Sequence, residues 1–216
     1  MELKNGLVHI DVDQRSLDWY IERKGIPTAS SFGKIITSLG KKSTQISGYA
    51  YDLVADCYMD EIEESFQSYA MQRGVDLEPI AKNVYMEYSG NSVYECGFFK
   101  RQSDGFEVGC SPDGLVDESG IVEIKCPLKG QHIKNLASKS LPAEYVAQVQ
   151  GQLFIMDRNW CDFVSYNPNF KEGYQIKVFK VFRDDAFIDN LKKYISDLFE
   201  LKNKILAQLN ECFEQN

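Results

Sequence analysis

The segment SPDGLVDESGIVEIKCP, residues 111–127, constrains the fold of this chain most strongly. Two short runs rich in branched apolar residues flank a Glu-Ser-Gly turn, which predicts two consecutive antiparallel strands. Side chains alternate along a strand, so Glu123 and Lys125 share one face and their apolar neighbours share the other. The turn brings Asp113 back beside Glu123. Two carboxylates and a lysine are therefore expected to converge at one edge of a sheet.

This set of side chains suits hydrolysis of a phosphodiester bond. Such a reaction needs neutralised phosphate charge, a hydroxide near neutral pH and a stabilised leaving oxygen, and Mg²⁺ sites with oxygen ligands supply all three. Asp113 and Glu123 would hold the metal, with the backbone carbonyl of Ile124 as a further ligand. Lys125 could orient the metal-bound water, accept its proton or stabilise charge on the phosphorane, and the sequence leaves these roles open. A plain surface salt bridge is the alternative, which the apolar residues on either side disfavour.

Composition restricts the class of protein further. The 216 residues, of which 44% are hydrophobic, suit one domain with a packed core. The six cysteines contain no CxxC pair, so neither a zinc site nor an iron–sulfur cluster is indicated, and reduced thiols are expected. No apolar run approaches the length of a membrane helix, and the N-terminus has no apolar signal core. We therefore expect a soluble, intracellular protein without a membrane partner.

The net charge of −8 is unusual for a protein that binds DNA, but its distribution is uneven. Residues 15–42 carry six basic side chains and two acidic ones, whereas residues 52–64 carry six acidic side chains and no basic one. Charge is thus segregated along the chain.

The periodicity of the first part of the chain predicts helices. Residues 13–25 predict a short amphipathic helix closed by Gly25, and Thr28 is expected to cap a second helix over 29–40. A mobile loop is expected over 40–48, followed by helices over 49–59 and over 65–88, the latter interrupted near Arg73 and Gly74.

The pattern then changes to strands. Residues 91–101, 104–117 and 120–128 predict three consecutive antiparallel strands. A helix over 141–156, strands over 160–167 and 174–182, and a long core-packing helix over 184–213 are expected to follow. The chain is therefore predicted to be one α/β (α+β) domain over 1–216, with a helical part at about 14–90, a sheet core at about 91–181 and the C-terminal helix.

The spacing of Pro112-Asp113 and Glu123-Ile124-Lys125 resembles the PD-(D/E)xK nuclease motif, and SPDGL with EIKCP resembles its form in the lambda-exonuclease (YqaJ-like) family of phage recombination nucleases. Four other blocks of that family have similar counterparts here, namely DWYIERKGIPTASSF, RGVDLEPIA, AEYVAQVQGQLFI and SYNPNFKEG. The resemblance implies a restriction-endonuclease-like core with a central mixed sheet flanked by helices. Pro27 stands where the family has valine or a similar residue.

The resemblance also implies roles for residues outside the central motif. Glu78 matches a helix carboxylate that supports a second metal, although on its own it could equally be a solvated residue. Gln148 matches a glutamine that helps to fix the catalytic groups, whereas Gln150 could be a surface residue. Arg23 and Ser30, with Thr28, match the block that holds the terminal 5′-phosphate; arginine grips phosphate in a bidentate manner. The other reading of Arg23 is an ion pair on its own helix.

One further expectation comes from local charge alone. His132 has three lysines nearby and no acidic residue between 128 and 139, so it is expected to line the DNA path.

The function that the resemblance implies is a 5′-to-3′ exonuclease acting on double-stranded DNA ends. It would use Mg²⁺, with two ions bound and Mn²⁺ able to substitute, release mononucleotides, and leave 3′ single strands for an annealing protein. A homotrimeric ring, phage or prophage origin and the cytoplasm of a bacterial host are implied as well. The alternatives are a structure-selective or restriction-type endonuclease on the same fold and a catalytically silent DNA-binding protein.

Overall fold

A computed structural model describes residues 2–3, 6–60, 69–103 and 105–214. Its helices are α1 (Leu17–Arg23), a 3-10 helix (Ala29–Lys34), α2 (Ile46–Tyr58), α3 (Tyr69–Ser89), α4 (Lys129–Ala137), α5 (Ala143–Met156) and α6 (Asp185–Glu214). Its strands are β1 (Glu2–Leu3), β2 (Leu7–Ile10), β3 (Val93–Tyr94), β4 (Phe98–Ser103), β5 (Phe106–Cys110), β6 (Gly114–Val116), β7 (Gly120–Lys125), β8 (Trp160–Tyr166) and β9 (Ile176–Phe182).

The strands form two sheets. One has the order β1-β2-β4-β5 and is antiparallel throughout. The other has the order β3-β6-β7-β8-β9, in which only the β7–β8 pair is parallel. The chain between β7 and β8 contains α4 and α5, because a parallel pair needs a crossover connection of that length. The predicted mixed sheet flanked by helices is confirmed.

Helices cover both faces of the five-stranded sheet. On one face Tyr85 and Ala81 of α3 pack against Val122 and Ile124 of β7. On the other face α5 packs through Leu153 and its neighbours against alternate strand residues. Even-numbered side chains of β7 therefore face α3 and odd-numbered ones face α5, as the alternation of side chains along a strand requires.

A second core joins α5 to the other helices and to the four-stranded sheet. Fully buried residues of the 3-10 helix, α2, α5 and α6 meet there. Phe32 packs directly on Gly151, where an added Cβ would lie 2.3 Å from the Phe32 ring. The expected core role of the C-terminal helix is confirmed by the burial of Ile188, Leu191 and Ile195. None of the described helices is both long enough and apolar enough to cross a bilayer.

The three-strand prediction for the middle of the chain was wrong in its connections. Five strands occur there, and the segment expected to be one strand over 104–117 divides into β5 and β6, which belong to different sheets. The division falls at Ser111-Pro112-Asp113, where proline has no N–H to donate to a ladder. The first two strands, β1 and β2, were not predicted.

Several helix predictions need correction as well. The helix after Thr28 is a 3-10 helix of only six residues, and the Thr28 side chain makes no capping hydrogen bond. The loop expected over 40–48 gives way to α2 at Ile46. The interruption expected near Gly74 is absent, since α3 runs continuously through Gly74 and Pro79. Packing of α3 on the sheet outweighs the cost of these helix breakers, about 1 and 3 kcal/mol respectively. Residues 65–68 of that predicted helix lie outside the described residues.

Candidate active site

Asp113 lies in the turn that leads from β5 into β6, and its carboxylate is directed onto β7. Its backbone N–H donates to the Val122 carbonyl at 3.1 Å. Its Oδ2 accepts a hydrogen bond from the backbone N–H of Ile124 at 2.6 Å. The predicted convergence of Asp113 with the Glu123-Ile124-Lys125 strand is therefore present, and Asp113 is fixed by the strand itself.

Glu123 is buried, with 2% of its surface exposed, and both of its carboxylate oxygens accept hydrogen bonds. Oε1 accepts from the Lys125 ammonium at 2.5 Å and from the Gln148 amide at 2.6 Å. Oε2 accepts from the Gln152 amide at 2.6 Å. Because hydrogen bonds to an ionised acceptor are strong and directional, these donors fix the orientation of the carboxylate.

Gln152 is the residue of this cluster that sequence reasoning missed. It lies one helical turn after Gln148 on the same face of α5, a spacing that could have indicated it. Gln150 occupies a different face and is buried rather than a surface residue, so that reading was wrong. Its side chain bridges the Phe182 carbonyl and the Asp184 N–H, where the chain turns from β9 into α6.

Burial and neighbouring charges alter the protonation of this cluster. Burial raises the pKa of the Asp113 carboxyl well above its usual value, and the carboxylates of Glu123 and Glu78 raise it further, against the opposite influence of Lys125. Burial alone would lower the pKa of the Lys125 amine, but the carboxylates of Glu123 and Asp113 outweigh burial and raise that pKa. The site therefore concentrates negative charge around one ammonium group, which is the electrostatic environment that a divalent cation relieves.

Glu78 comes from α3 and faces the same region from the other side. Glu78 and Asp113 both line a cavity of about 400 Å³. The Glu78 carboxylate forms an ion pair with Arg15, a residue whose φ of +72° lies in the left-handed region. In the described part of the chain, no three His, Cys, Asp or Glu side chains are grouped closely enough to form a ready metal site. Glu78 is thus near Asp113 but is paired with a cation.

Arg23 forms a separate cluster with the hydroxyl groups predicted to accompany it. Its guanidinium lies 4.0 Å from the centre of the Trp19 ring. Its Nη2 donates to Thr28 Oγ1 at 3.2 Å and to Ser30 Oγ at 3.4 Å. Burial lowers the pKa of Arg23, yet an arginine stays charged in a protein. Within the described ranges Arg23 pairs with no carboxylate, so the alternative reading as a helix ion pair does not apply.

Trp19 connects this cluster to the Asp113 turn, a role that the sequence did not indicate. The Trp19 indole N–H donates to Ser111 Oγ at 2.7 Å. Gln14 holds the same turn by donating to the Pro112 carbonyl at 2.9 Å. The block around Arg23 and the turn that carries Asp113 are therefore joined by direct hydrogen bonds, although they are far apart in sequence.

The expectation for His132 was wrong. The side chain is fully buried, and its ring nitrogens lie 2.9 Å from Ser165 Oγ and 2.9 Å from the Tyr174 carbonyl. Burial lowers the pKa of His132. The histidine fixes the loop between β8 and β9 to α4 and has no surface to present to DNA.

Comparison with known proteins gives consistent results. The sequence model described as the YqaJ-like viral recombinase domain matches residues 18–159. An alkaline exonuclease, LHK-Exo from Laribacter hongkongensis, is 31% identical, with a TM-score of 0.81, over 93% of this chain and 100% of that one. LHK-Exo in complex with dAMP gives a TM-score of 0.83 at 30% identity over the same shares of both chains.

Two further results complete the comparison. A phage-related exonuclease from Haemophilus somnus 129PT shares the fold at 16% identity, with a TM-score of 0.68 over 85% of this chain and 96% of that one. A search of curated proteins finds no match. The family match spans the Arg23 cluster, the Asp113 turn, β7 and α5. The chain therefore belongs to the YqaJ-like, lambda-exonuclease-like family, has the restriction-endonuclease-like fold of that family, and is a deoxyribonuclease.

Proposed function

We propose that the chain is a divalent-metal-dependent exonuclease that degrades the 5′ strand of double-stranded DNA from its end and releases mononucleotides. The observation that carries this proposal is the chain of contacts from Arg23 to the Asp113 turn. The Arg23 guanidinium lies over the Trp19 ring, and the Trp19 indole N–H donates to Ser111 Oγ beside Asp113. A charged guanidinium that pairs with no carboxylate in the described part of the chain suits a terminal phosphate, and its connection to the Asp113 turn would place the next phosphodiester bond at the catalytic carboxylates.

The residues at the site fit a divalent cation. Asp113, Glu123, the Ile124 carbonyl and Glu78 offer the oxygen ligands that Mg²⁺ prefers, and we propose Mg²⁺ as the natural ion, two ions as the full complement and Mn²⁺ as a substitute. When bound, such ions neutralise phosphate charge and lower the pKa of bound water. Arg15 contacts Oε2 of Glu78, so the other carboxylate oxygen would serve as the metal ligand.

The chain's own side chains position the reacting groups. Gln148 holds Glu123 in place, and Lys125 lies where it can orient the attacking water or stabilise charge on the phosphorane. Arg23, Thr28 and Ser30 hold the terminal 5′-phosphate. The relative LHK-Exo has been solved with dAMP, and this mononucleotide supports the proposed type of product.

The assembly and setting are proposed from the family. We propose a homotrimeric ring around the duplex, a phage or prophage origin, action in the cytoplasm of a bacterial host, and delivery of the 3′ single strand to an annealing protein. The family description as a viral recombinase domain supports this setting.

A strand-labelled duplex tests the proposed direction. One strand carries a 5′-phosphate, a label near its 5′ end and a different label near its 3′ end. In Mg²⁺ the 5′-proximal label should appear first in mononucleotides, and chelation by EDTA should stop its release. Release of the 3′-proximal label first would contradict the proposal.

The same duplex tests the site. Lys125→Ala should abolish release while leaving duplex binding largely intact, whereas Lys204→Ala, an exposed lysine on α6, should retain full activity. Full activity in Lys125→Ala would refute the assignment of the catalytic lysine.

A further inference from the structure

An apolar groove of about 700 Å³ lies outside the carboxylate site, between α3, α4 and the loop that joins β8 to β9. Among the described residues that line it are three aromatic ones, namely Tyr69, Phe170 and Tyr174. Tyr69 is 77% exposed and Tyr174 is 61% exposed. Aromatic rings gathered on one exposed surface are typical of a binding site, whereas a single exposed ring is ordinary.

The wall of the groove that carries Tyr174 is held in place by hydrogen bonds. The buried His132 side chain contacts the Tyr174 carbonyl at 2.9 Å, and the Phe170 ring packs edge-on against His132 at 4.7 Å. Gln175 donates to the carbonyls of Pro168 and Phe170 within the same loop. The rings of Phe170 and Tyr174 are therefore presented by a preformed loop, and a ligand would lose little free energy in ordering it.

The charge of the groove is positive. Arg73, Lys129 and Lys171 line it, and no acidic residue is among the lining residues that the structure describes. None of these three cations forms an ion pair within the described ranges. In a chain of net charge −8, this local excess favours a polyanionic ligand.

The groove adjoins the end of the catalytic strand. Arg73 donates to the carbonyl of Cys126 at 2.5 Å and to that of Pro127 at 3.3 Å. These residues directly follow Lys125, the last residue of β7. A DNA strand at the carboxylates could therefore continue into the groove without leaving the surface of the chain.

We infer that this groove binds unpaired nucleotides of DNA, whose bases stack on the tyrosine and phenylalanine rings while their phosphates contact Arg73, Lys129 and Lys171. Stacking on aromatic side chains between cations is the way in which proteins hold single strands without reading their sequence. The inference extends the proposed function by adding a site for single-stranded DNA, but binding in the groove does not depend on hydrolysis.

Two oligonucleotides of equal length and charge, oligothymidylate and an abasic strand, test the inference when their affinities are measured by fluorescence anisotropy in EDTA. Tyr174→Ala should weaken oligothymidylate binding by roughly 5- to 150-fold, since loss of one stacking ring costs about 1–3 kcal/mol. Abasic-strand binding should be unchanged by the same substitution. Tyr51→Ala is the matched control, because Tyr51 is 58% exposed on α2 outside the groove.

A charge variant provides an independent readout. Lys171→Ala should weaken both strands and reduce the slope of log affinity against log salt by about 0.7, the value for one phosphate contact on a single strand. Lys204→Ala on α6 should leave that slope unchanged.

Equal losses for Tyr174→Ala and Tyr51→Ala, or affinities unchanged by all groove variants, would refute nucleic acid as the occupant. A dimer or trimer that Tyr174→Ala dissociates would assign the groove to a second copy of the chain and overturn the inference as well. Hydrolysis of labelled duplex is measured separately. Single-strand binding in the groove without degradation of the duplex would leave the groove assignment standing and remove the exonuclease proposal. Degradation of the duplex without single-strand binding in the groove would remove the groove assignment and leave the exonuclease proposal standing.

Discussion

Replacement of Asp113 by asparagine should stabilise the metal-free protein. The Asp113 carboxylate is disfavoured by burial and by the carboxylates of Glu123 and Glu78. Asparagine keeps an oxygen that can accept the hydrogen bond from the Ile124 N–H and removes the negative charge. The substitution relieves the repulsion from the carboxylates of Glu123 and Glu78 but loses the attraction of the Lys125 ammonium. We expect the free energy of unfolding to rise by about 1 kcal/mol as the net result. In a chain of 216 residues this gain raises Tm by about 2–4 °C.

The gain should depend on pH in a defined direction. Burial raises the pKa of Asp113 in the folded protein above its value of about 3.9 in the unfolded chain. A carboxyl group whose pKa is higher in the folded than in the unfolded chain destabilises the fold once it ionises. The wild type is therefore less stable than Asp113→Asn only above the pKa that Asp113 has in the unfolded chain, and this difference is the deficit of the wild type. The deficit grows as pH rises from about 4 through the folded pKa and is then constant. Asp113→Asn and wild type should therefore have similar stability near pH 4 and differ most at alkaline pH.

Metal should reverse the order of stability. A ligand at 100 times its Kd stabilises the folded state by about 2.7 kcal/mol, which exceeds the gain from the substitution. Thermal unfolding in EDTA and in saturating Mg²⁺, each over a range of pH, measures both effects. A lower Tm for Asp113→Asn than for wild type in EDTA at alkaline pH would refute the electrostatic reasoning. A wild type that Mg²⁺ does not stabilise would refute the metal assignment.

Three other substitutions have definite expected outcomes. Arg23→Ala removes a charged contact worth about 1.5–3 kcal/mol, so it should lower kcat/KM on 5′-phosphorylated ends by about 10- to 150-fold and leave 5′-hydroxyl ends unaffected. Equal losses on both kinds of end would contradict the phosphate pocket. Gln152→Leu should reduce metal affinity or kcat by about 10- to 100-fold, because the Glu123 carboxylate loses the donor to its Oε2. Titration of the activity with Mn²⁺ distinguishes a loss of affinity from a loss of kcat. Unchanged kinetics would exclude a positioning role for Gln152. Arg15→Gly should relieve a left-handed backbone conformation worth about 1 kcal/mol, so that calorimetry shows higher stability. It should also free Glu78 from its ion pair, so that calorimetry shows tighter Mn²⁺ binding. Weaker Mn²⁺ binding would show that the ion pair supports the site.

The local part of the site could be predicted from sequence because it is encoded locally. Asp113, Glu123 and Lys125 belong to one strand-turn-strand unit, where alternation and a turn suffice to place them. Their arrangement in the structure matches that prediction. The two helices between the parallel strands β7 and β8 are also explained by the crossover connection that such a pair needs.

Contacts between distant segments could not be predicted in this way. The hydrogen bond from Gln152 to Glu123 depends on how α5 packs against β7, and the sequence offered only the helical spacing from Gln148 as a signal. The Trp19–Ser111 hydrogen bond joins residues whose separation in sequence gives no signal. His132 looked exposed from its lysine-rich surroundings, yet packing against the β8–β9 loop buries it. An interruption was predicted near Gly74 because tertiary packing, which overrides intrinsic helix propensity, is not visible in the local sequence.

The most direct test of end-dependent hydrolysis compares one DNA in two topologies. A covalently closed relaxed circle and the same DNA linearised with 5′-phosphate ends are incubated with the protein and Mg²⁺, and mononucleotide release and nicking are followed together. The linear DNA should be degraded to mononucleotides with transient 3′ overhangs, and the closed circle should survive intact. Nicking of the closed circle at a rate comparable to degradation of the linear DNA would contradict the exonuclease assignment and favour an endonuclease on the same fold.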